Sequence, residues 1–176
     1  MKLHLGCGEK YLEGFVHVDI LEYDHVDFKT PIDDLHFAKD SSVEIIYACH
    51  VLEHTDRHGY KKVLNEWYRV LKPKGILRIA VPNFEACVQY YLSTGSLSDL
   101  LGLLKGGQKD EYDYHKMIFD EQLLSKSLVE IGFKEVKKYD WIETEHSNVD
   151  DFSQAYLPHM NKEEGTLMSL NLQAIK

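Results

Sequence analysis

The sequence predicts an α/β fold, a mostly parallel sheet wound with helices on both faces, and three observations predict it. Val43-Glu44-Ile45-Ile46-Tyr47-Ala48-Cys49 is a largely apolar, β-branched run of the kind that forms a strand covered on both sides. Tyr60, Val63, Leu64, Trp67 and Leu71 then recur at helical spacing, with Lys61, Lys62, Asn65, Glu66 and Arg69 on the opposite face. Lys72-Pro73-Lys74-Gly75 stops that helix, and a second strong strand, Ile76–Val81, follows at once. Strand, helix, strand in this order is the grammar of a parallel sheet. With 176 residues, no internal repeat and no linker, the chain is expected to form one domain over 1–176.

The remaining elements fall around that centre. Lys2-Leu3-His4-Leu5 alternates polar and apolar residues and ends at Gly6, predicting strand one. Phe15–Asp19 predicts strand two and His25–Phe28 a shorter third. Only Glu9 to Gly14 separate the first glycine turn from strand two, so the usual first crossover helix is shortened to about a turn. Phe84 to Leu92 and Leu97 to Leu104 read as helical pieces, broken by Gly106-Gly107. Asp120 is placed to cap a helix carrying Leu123, Leu124, Leu128 and Ile131, closed by Gly132. Glu135–Trp141 and Leu167–Ile175 are expected as the last strands, enclosing an acidic connection.

Composition removes several function classes. Acidic residues outnumber basic ones by 29 to 20, a net charge of −9, which argues against nucleic-acid binding and against attraction to anionic membrane. Three cysteines without CxxC spacing predict neither a disulfide framework nor a zinc knuckle, and suit reduced thiols in a cytoplasmic protein. No apolar run approaches the roughly 20 residues of a spanning helix, and Met1–Gly8 turns polar too early for a signal peptide.

In open α/β sheets, ligands bind beyond the carboxyl ends of the strands. Gly6-Cys7-Gly8 stands there after strand one, where glycine permits a tight turn and close approach of a ligand. Taken alone it is equally a simple turn, and the GxGxxG fingerprint fails because Tyr11 holds the third glycine position. Asp19 ends strand two, where a carboxylate can accept both ribose hydroxyl protons or merely cap a loop. Asp33-Asp34-Leu35-His36-Phe37 precedes strand four. A carboxylate there can take an adenine amino group while Leu35 and Phe37 cover the ring, or the segment is only a turn. His50-Val51-Leu52-Glu53-His54 leaves strand four. On a helix His50, His54 and His58 would share a face, but without a zincin glutamate or a third clear ligand nearby no metal site is expected.

These residues resemble the class I S-adenosylmethionine-dependent methyltransferases, type 11 group. His4–Gly8 with Gly14–Asp19 is similar to their glycine-rich and ribose motifs, and Asp33–Phe37 with Asp40–Tyr47 to their adenine segment. Cys49–His54, Glu66–Leu77 and Phe119–Phe133 look like three further segments, in register from residue 3 to about 83 and more loosely to 141. The sequence departs at His36, Glu44 and Lys74, where proline, aspartate and glycine are commoner. The resemblance implies a Rossmann-like seven-stranded sheet with the last strand antiparallel, and S-adenosylmethionine as cofactor. It places Gly6, Cys7 and Gly8 along the methionine and ribose, Asp19 on the ribose hydroxyls, Asp34 and the Leu35 backbone at the adenine, and His50 beside the methionine part or the transferable methyl.

The activity so implied is methyl transfer to a small-molecule acceptor. Residues 84–119 are expected to form a substrate cap, with Tyr112, Tyr114 and His115 either closing over the acceptor or packing a surface loop. His54 and His115 are the candidate proton acceptors, as imidazoles of near-neutral pKa. The alternatives are a binding protein that holds the cofactor without turnover, and a nucleotide-dependent oxidoreductase.

Overall fold

The computed structural model describes residues 1–176. Its strands and helices, in chain order, are β1 (Lys2–Leu5), β2 (Val16–Asp19), β3 (Phe28–Lys29), β4 (Val43–Cys49), α1 (Tyr60–Val70), β5 (Leu71–Pro82), α2 (Phe84–Thr94), α3 (Leu101–Lys105), α4 (Glu121–Ile131), β6 (Lys134–Lys138), β7 (Tyr156–Leu157), β8 (Thr166–Leu167) and β9 (Ser169–Ile175). Seven strands form one sheet in the order β3-β2-β1-β4-β5-β9-β6, parallel except where β9 runs antiparallel to β5 and β6. A separate hairpin, β7-β8, lies outside it. No helix is long and apolar enough to cross a membrane.

The predicted caps form. The Asp120 side chain accepts from the Leu123 backbone N–H at 2.7 Å and Gly132 ends α4. Asn83 caps α2 in the same way, and Gly95 closes it in the left-handed region. Strand β5 begins five residues earlier than Ile76, because Leu71 already pairs with Val43 across an irregularity before Ile76 meets Ile45.

The pleat sorts the sheet into two unlike faces. Leu3, Leu5, Val18, Ile46, Ala48, Leu77, Ile79, Val81, Leu170, Leu172 and Ala174 point to one side. There they join Val63, Leu64 and Trp67 of α1 and Leu124 and Leu128 of α4 in the main core. The alternate positions include His4, His17, Tyr47 and Asn171, polar yet buried. No α-helix covers them, because the β1–β2 connection, residues 6–15, has room only for turns. The late connection 139–155 covers much of this face instead. Tyr47 donates to Asp151 Oδ2 at 2.6 Å, Asn171 to the Ser153 carbonyl at 2.9 Å, the His146 ring lies 3.9 Å from that of Tyr47, and Arg78 pairs with Glu145. The winding is thus helical on one face, and polar and loop-built on the other.

Residues 84–118 leave and rejoin the domain at one point. Asn83 and Phe119 form a bridge, and the Phe84 N–H donates to the Phe119 carbonyl at 3.1 Å. Within that excursion, Ala86, Cys87 and Leu100 pack with Met168 in a small cluster of their own.

Candidate functional site

The carboxyl ends of β1, β2 and β4 open into a cavity of about 780 Å³, within the usual size of small-molecule sites. Gly6, Cys7, Gly8, Asp19 and His50 all line it. Gly6 has φ 61°, and a Cβ there would stand 2.2 Å from Val51 Cγ2, so the turn and the packing both demand glycine. Gly8 has φ 52° but nothing within 4 Å of the position a Cβ would take. Its bare surface faces open space.

Asp19 is the hinge of this wall. Its Oδ2 accepts from the Gly8 N–H and its Oδ1 from the Leu21 N–H, both at 2.8 Å. The β2 carboxylate therefore shapes the glycine turn as well as facing the cavity. Each oxygen keeps lone-pair capacity for a ligand hydroxyl. Cys7 is no nucleophile: burial, then the neighbouring Asp19 charge, pushes its thiol up to about 12.

Of the segment expected on the adenine side, neighbouring residues reach the cavity instead. Pro31, Ile32 and Asp33 line the cavity, whereas Asp34 and Leu35 do not. Asp34 is exposed and pairs with His36 at 3.3 Å. Leu35 is fully buried, its N–H donating to Glu66 Oε1 at 2.9 Å and its carbonyl accepting from Arg69 at 3.3 Å. Phe37 stacks on Phe28 at 3.9 Å rather than over the cavity. The cause is α1, which staples this loop. Trp67 Nε1 donates to the Ile32 carbonyl at 2.9 Å, and Arg69 also holds the Ala38 carbonyl and Asp40. These tertiary bonds set the register of the turn, which local sequence leaves open.

After β4 the chain turns sharply: His50 has φ 50°, a left-handed conformation uncommon outside glycine, held by its N–H to the Ala80 carbonyl at 2.9 Å. Leu52–His54 makes a single 3₁₀ turn, so His50, His54 and His58 do not share one helical face. His50 and His54 border both the first cavity and a second one of about 410 Å³. His115, from the excursion, lines the second cavity and meets His54 edge-on with ring centroids 4.8 Å apart. Tyr112 and Asp113 reach the first cavity, whereas Tyr114 lines neither.

Two residues at this junction escaped the sequence analysis. Glu53 is 1% exposed, and neither carboxylate oxygen has a hydrogen-bond partner. Burial pushes its carboxyl up to about 8. Its signal was present as an acid in an apolar turn between two histidines. Phe152 borders both cavities while 62% exposed, its ring 5.4 Å from that of His50. No local pattern marks it, because it arrives on the distant late connection. Burial lowers the pKa of His50, to about 3, with the charges of His115 and His54 adding to it. Burial likewise lowers those of His54 and His115.

Residues 12–79 match the family described as a methyltransferase domain. No curated protein sequence matches the chain. Among solved structures, an S-adenosylmethionine-dependent methyltransferase from Archaeoglobus fulgidus is similar at 17% identity and TM-score 0.61, covering 99% of this chain and 85% of its own. A 1,6-didemethyltoxoflavin-N1-methyltransferase from Burkholderia thailandensis, solved with its namesake compound and S-adenosylhomocysteine, is similar at 18% identity and TM-score 0.59, covering 99% and 70%. A possible histamine N-methyltransferase from Thermotoga maritima gives 18% and 0.57, covering 91% and 72%. These likenesses show the shared fold, and the family match takes in Asp19, Asp33 and His50 of the cavity lining but not the glycine turn Gly6–Gly8. The chain thus carries a methyltransferase-domain match over residues 12–79 and has the fold of S-adenosylmethionine-dependent methyltransferases.

Proposed function

We propose that this chain methylates a small-molecule acceptor seated in the second cavity, with the cofactor in the first. The observation that carries this reading is the common wall: His50, His54, Lys109, Asp113 and Phe152 border both spaces. Methyl transfer needs donor and acceptor in line across a short gap, and a shared wall provides that adjacency.

In this reading Gly6, Cys7 and Gly8 lie along the methionine and ribose, Asp19 accepts the ribose hydroxyls, and Asp33 with Ile32 takes the adenine side in place of Asp34 and Leu35. His50 stands beside the reacting centre. The bound cofactor supplies a methyl group on a positively charged sulfur. Glu9, Asp19, Asp33, Asp56, Asp110, Asp113 and Asp151 outnumber Lys10, Lys109 and Lys116 around the first cavity. That excess favours the cationic cofactor over its neutral product and so assists exchange after each turnover. The excursion 84–119 acts as the substrate cap, bringing Asp113 and His115 against the acceptor space. His54 and His115 face the acceptor and receive its proton.

The experiment is calorimetry with S-adenosylmethionine and S-adenosylhomocysteine, then mass-spectrometric detection of methyl transfer over a panel of small hydroxyl and amine acceptors. Cofactor binding with transfer to at least one acceptor supports the proposal. Binding without transfer to any of them, or to protein or RNA substrates instead, removes the small-molecule assignment.

A further inference from the structure

Four side chains meet where the two cavities share a wall, and the unprotonated ring nitrogens of His50 and His115 both turn towards Glu53. Ser169 sets the first. Its hydroxyl donates to Asn171 Oδ1 at 2.8 Å, and the Asn171 amide nitrogen donates to the Ser153 carbonyl at 2.9 Å, which orients the amide. Ser169 Oγ therefore accepts from His50 Nε2 at 3.1 Å. His50 carries its proton on Nε2, and its bare Nδ1 lies 3.5 Å from Glu53 Oε1.

His115 is oriented likewise from the opposite side. Its Nδ1 is 2.8 Å from the Leu103 carbonyl oxygen, which can only accept, so the proton sits on Nδ1. Its Nε2 lone pair then faces Glu53 Oε1 at 3.9 Å. Both Glu53 oxygens and His54 Nδ1 are buried without a hydrogen-bond partner. Donor atoms of Glu53, His54 and His115 lie within 4.8 Å of one another. Acceptors facing acceptors at a buried junction repel unless a proton or a cation lies between them. A single proton relieves one such contact; a cation relieves them all.

We propose that His50, Glu53, His54 and His115 form a binding site for a divalent first-row transition-metal ion. Metal–ligand bonds of about 2.0–2.2 Å place neighbouring donors of a tetrahedral site about 3.3–3.6 Å apart. The separations of 3.5 and 3.9 Å to Glu53 nearly meet that already. The 4.8 Å span across Glu53, His54 and His115 must contract by about 1 Å to hold an ion. Imidazole-rich donor sets suit zinc, cobalt or iron better than magnesium or calcium. Ser169 and the Leu103 carbonyl supply the outer hydrogen bonds that fix the ligand tautomers.

His50 and His54 border both cavities, so the ion keeps an open side. The ligand class that fits it is a small molecule with a hydroxyl or other oxygen donor, whose proton the ion makes easier to lose. His54 and His115 then serve as ligands, and the proton that the acceptor loses passes to solvent water in the open cavity. The site draws on Glu53 and His115 rather than His58, which is why the histidine spacing alone did not reveal it. It stands apart from the methyl-transfer proposal, because the metal alone tests it.

The test strips the full-length chain of metal with a chelator and titrates it with Co²⁺, reading the visible absorption of protein-bound cobalt. One ion per chain is expected, displaced by Zn²⁺. Glu53→Gln keeps the side-chain volume and removes the charge. It should weaken Co²⁺ binding by more than the roughly 10–100-fold typical of losing an outer partner. His115→Gln should do the same and serves if the first variant misfolds, while His58→Gln leaves Co²⁺ affinity unchanged. S-adenosylhomocysteine binding by the same variants, retained, separates a lost ion from a collapsed cavity. The proposal is overturned by absence of stoichiometric Co²⁺ absorption, or by wild-type Co²⁺ affinity in both glutamine variants. It is also overturned by a carboxylic-acid C=O stretch that persists with Co²⁺ present and vanishes in Glu53→Gln, because a proton then occupies the site.

Discussion

Replacing Asp19 with asparagine tests the cofactor wall with the least change in shape. The carboxylate accepts two backbone N–H bonds at 2.8 Å, one per oxygen, from Gly8 and Leu21. An amide keeps one oxygen and sets an NH₂ against the other N–H, leaving a half-buried donor unsatisfied. Such a donor costs about 1–3 kcal/mol, which for a domain of this size lowers Tm by about 2–12 °C. On the binding side, one hydroxyl bond to a charged acceptor disappears, about 1.5–3 kcal/mol, or about 10–150-fold in Kd. Differential scanning fluorimetry measures the first quantity and calorimetry with S-adenosylhomocysteine the second. A variant that loses thermal stability yet binds with unchanged affinity refutes the ribose role of Asp19 and leaves it only as the brace of the glycine turn.

Other substitutions separate binding from folding. Gly8→Ala should leave the fold in place, with strain of about 1–2 kcal/mol from its positive φ, because no atom lies within 4 Å of the new methyl. That methyl enters the cavity, so calorimetry should show weakened cofactor binding; unchanged affinity means the ligand passes elsewhere. Trp67→Ala should cost about 3–5 kcal/mol in urea denaturation, Trp67 being fully buried, and should also weaken cofactor binding because Ile32 loses its anchor. A destabilised variant with intact cofactor affinity detaches α1 from the cavity wall.

Stability should also depend on pH through His4. Burial, then the charges of His17, His146 and His25, lowers its pKa to about 3 from 6.5. Above pH 6.5 the ring is neutral folded or unfolded, and its contribution is constant. Between 6.5 and about 3 the unfolded chain binds a proton that the fold refuses, so stability falls with pH, by about 2 kcal/mol at pH 5 from this residue. His4→Gln should flatten that slope in denaturation curves at pH 7 and 5; an identical slope places the acid sensitivity elsewhere.

Much of the fold was legible because its elements announce themselves locally. Val43–Cys49 appears with the bounds its apolar run predicts, and α4 begins and ends at its Asp120 and Gly132 signals. The glycine turn and Asp19 were legible as well, since a strand end and its following turn are set by neighbours in sequence. That Asp33 rather than Asp34 lines the cavity was not, because Trp67 and Arg69 decide how that loop sits. The polar second face was hidden for a similar reason: alternation in β1 and β4 shows which residues face away from the helices, not what lies over them.

The sequence by itself determined the strand order's raw material, the helix caps and the tight turn at Gly6–Gly8, all products of φ preference, periodicity and nearest-neighbour hydrogen bonding. Only the tertiary structure decided that Glu53, His54 and His115 converge, because His115 is delivered by an excursion whose ends are pinned at Asn83 and Phe119. Contacts between residues far apart in the chain depend on how long segments pack. No local pattern encodes that packing.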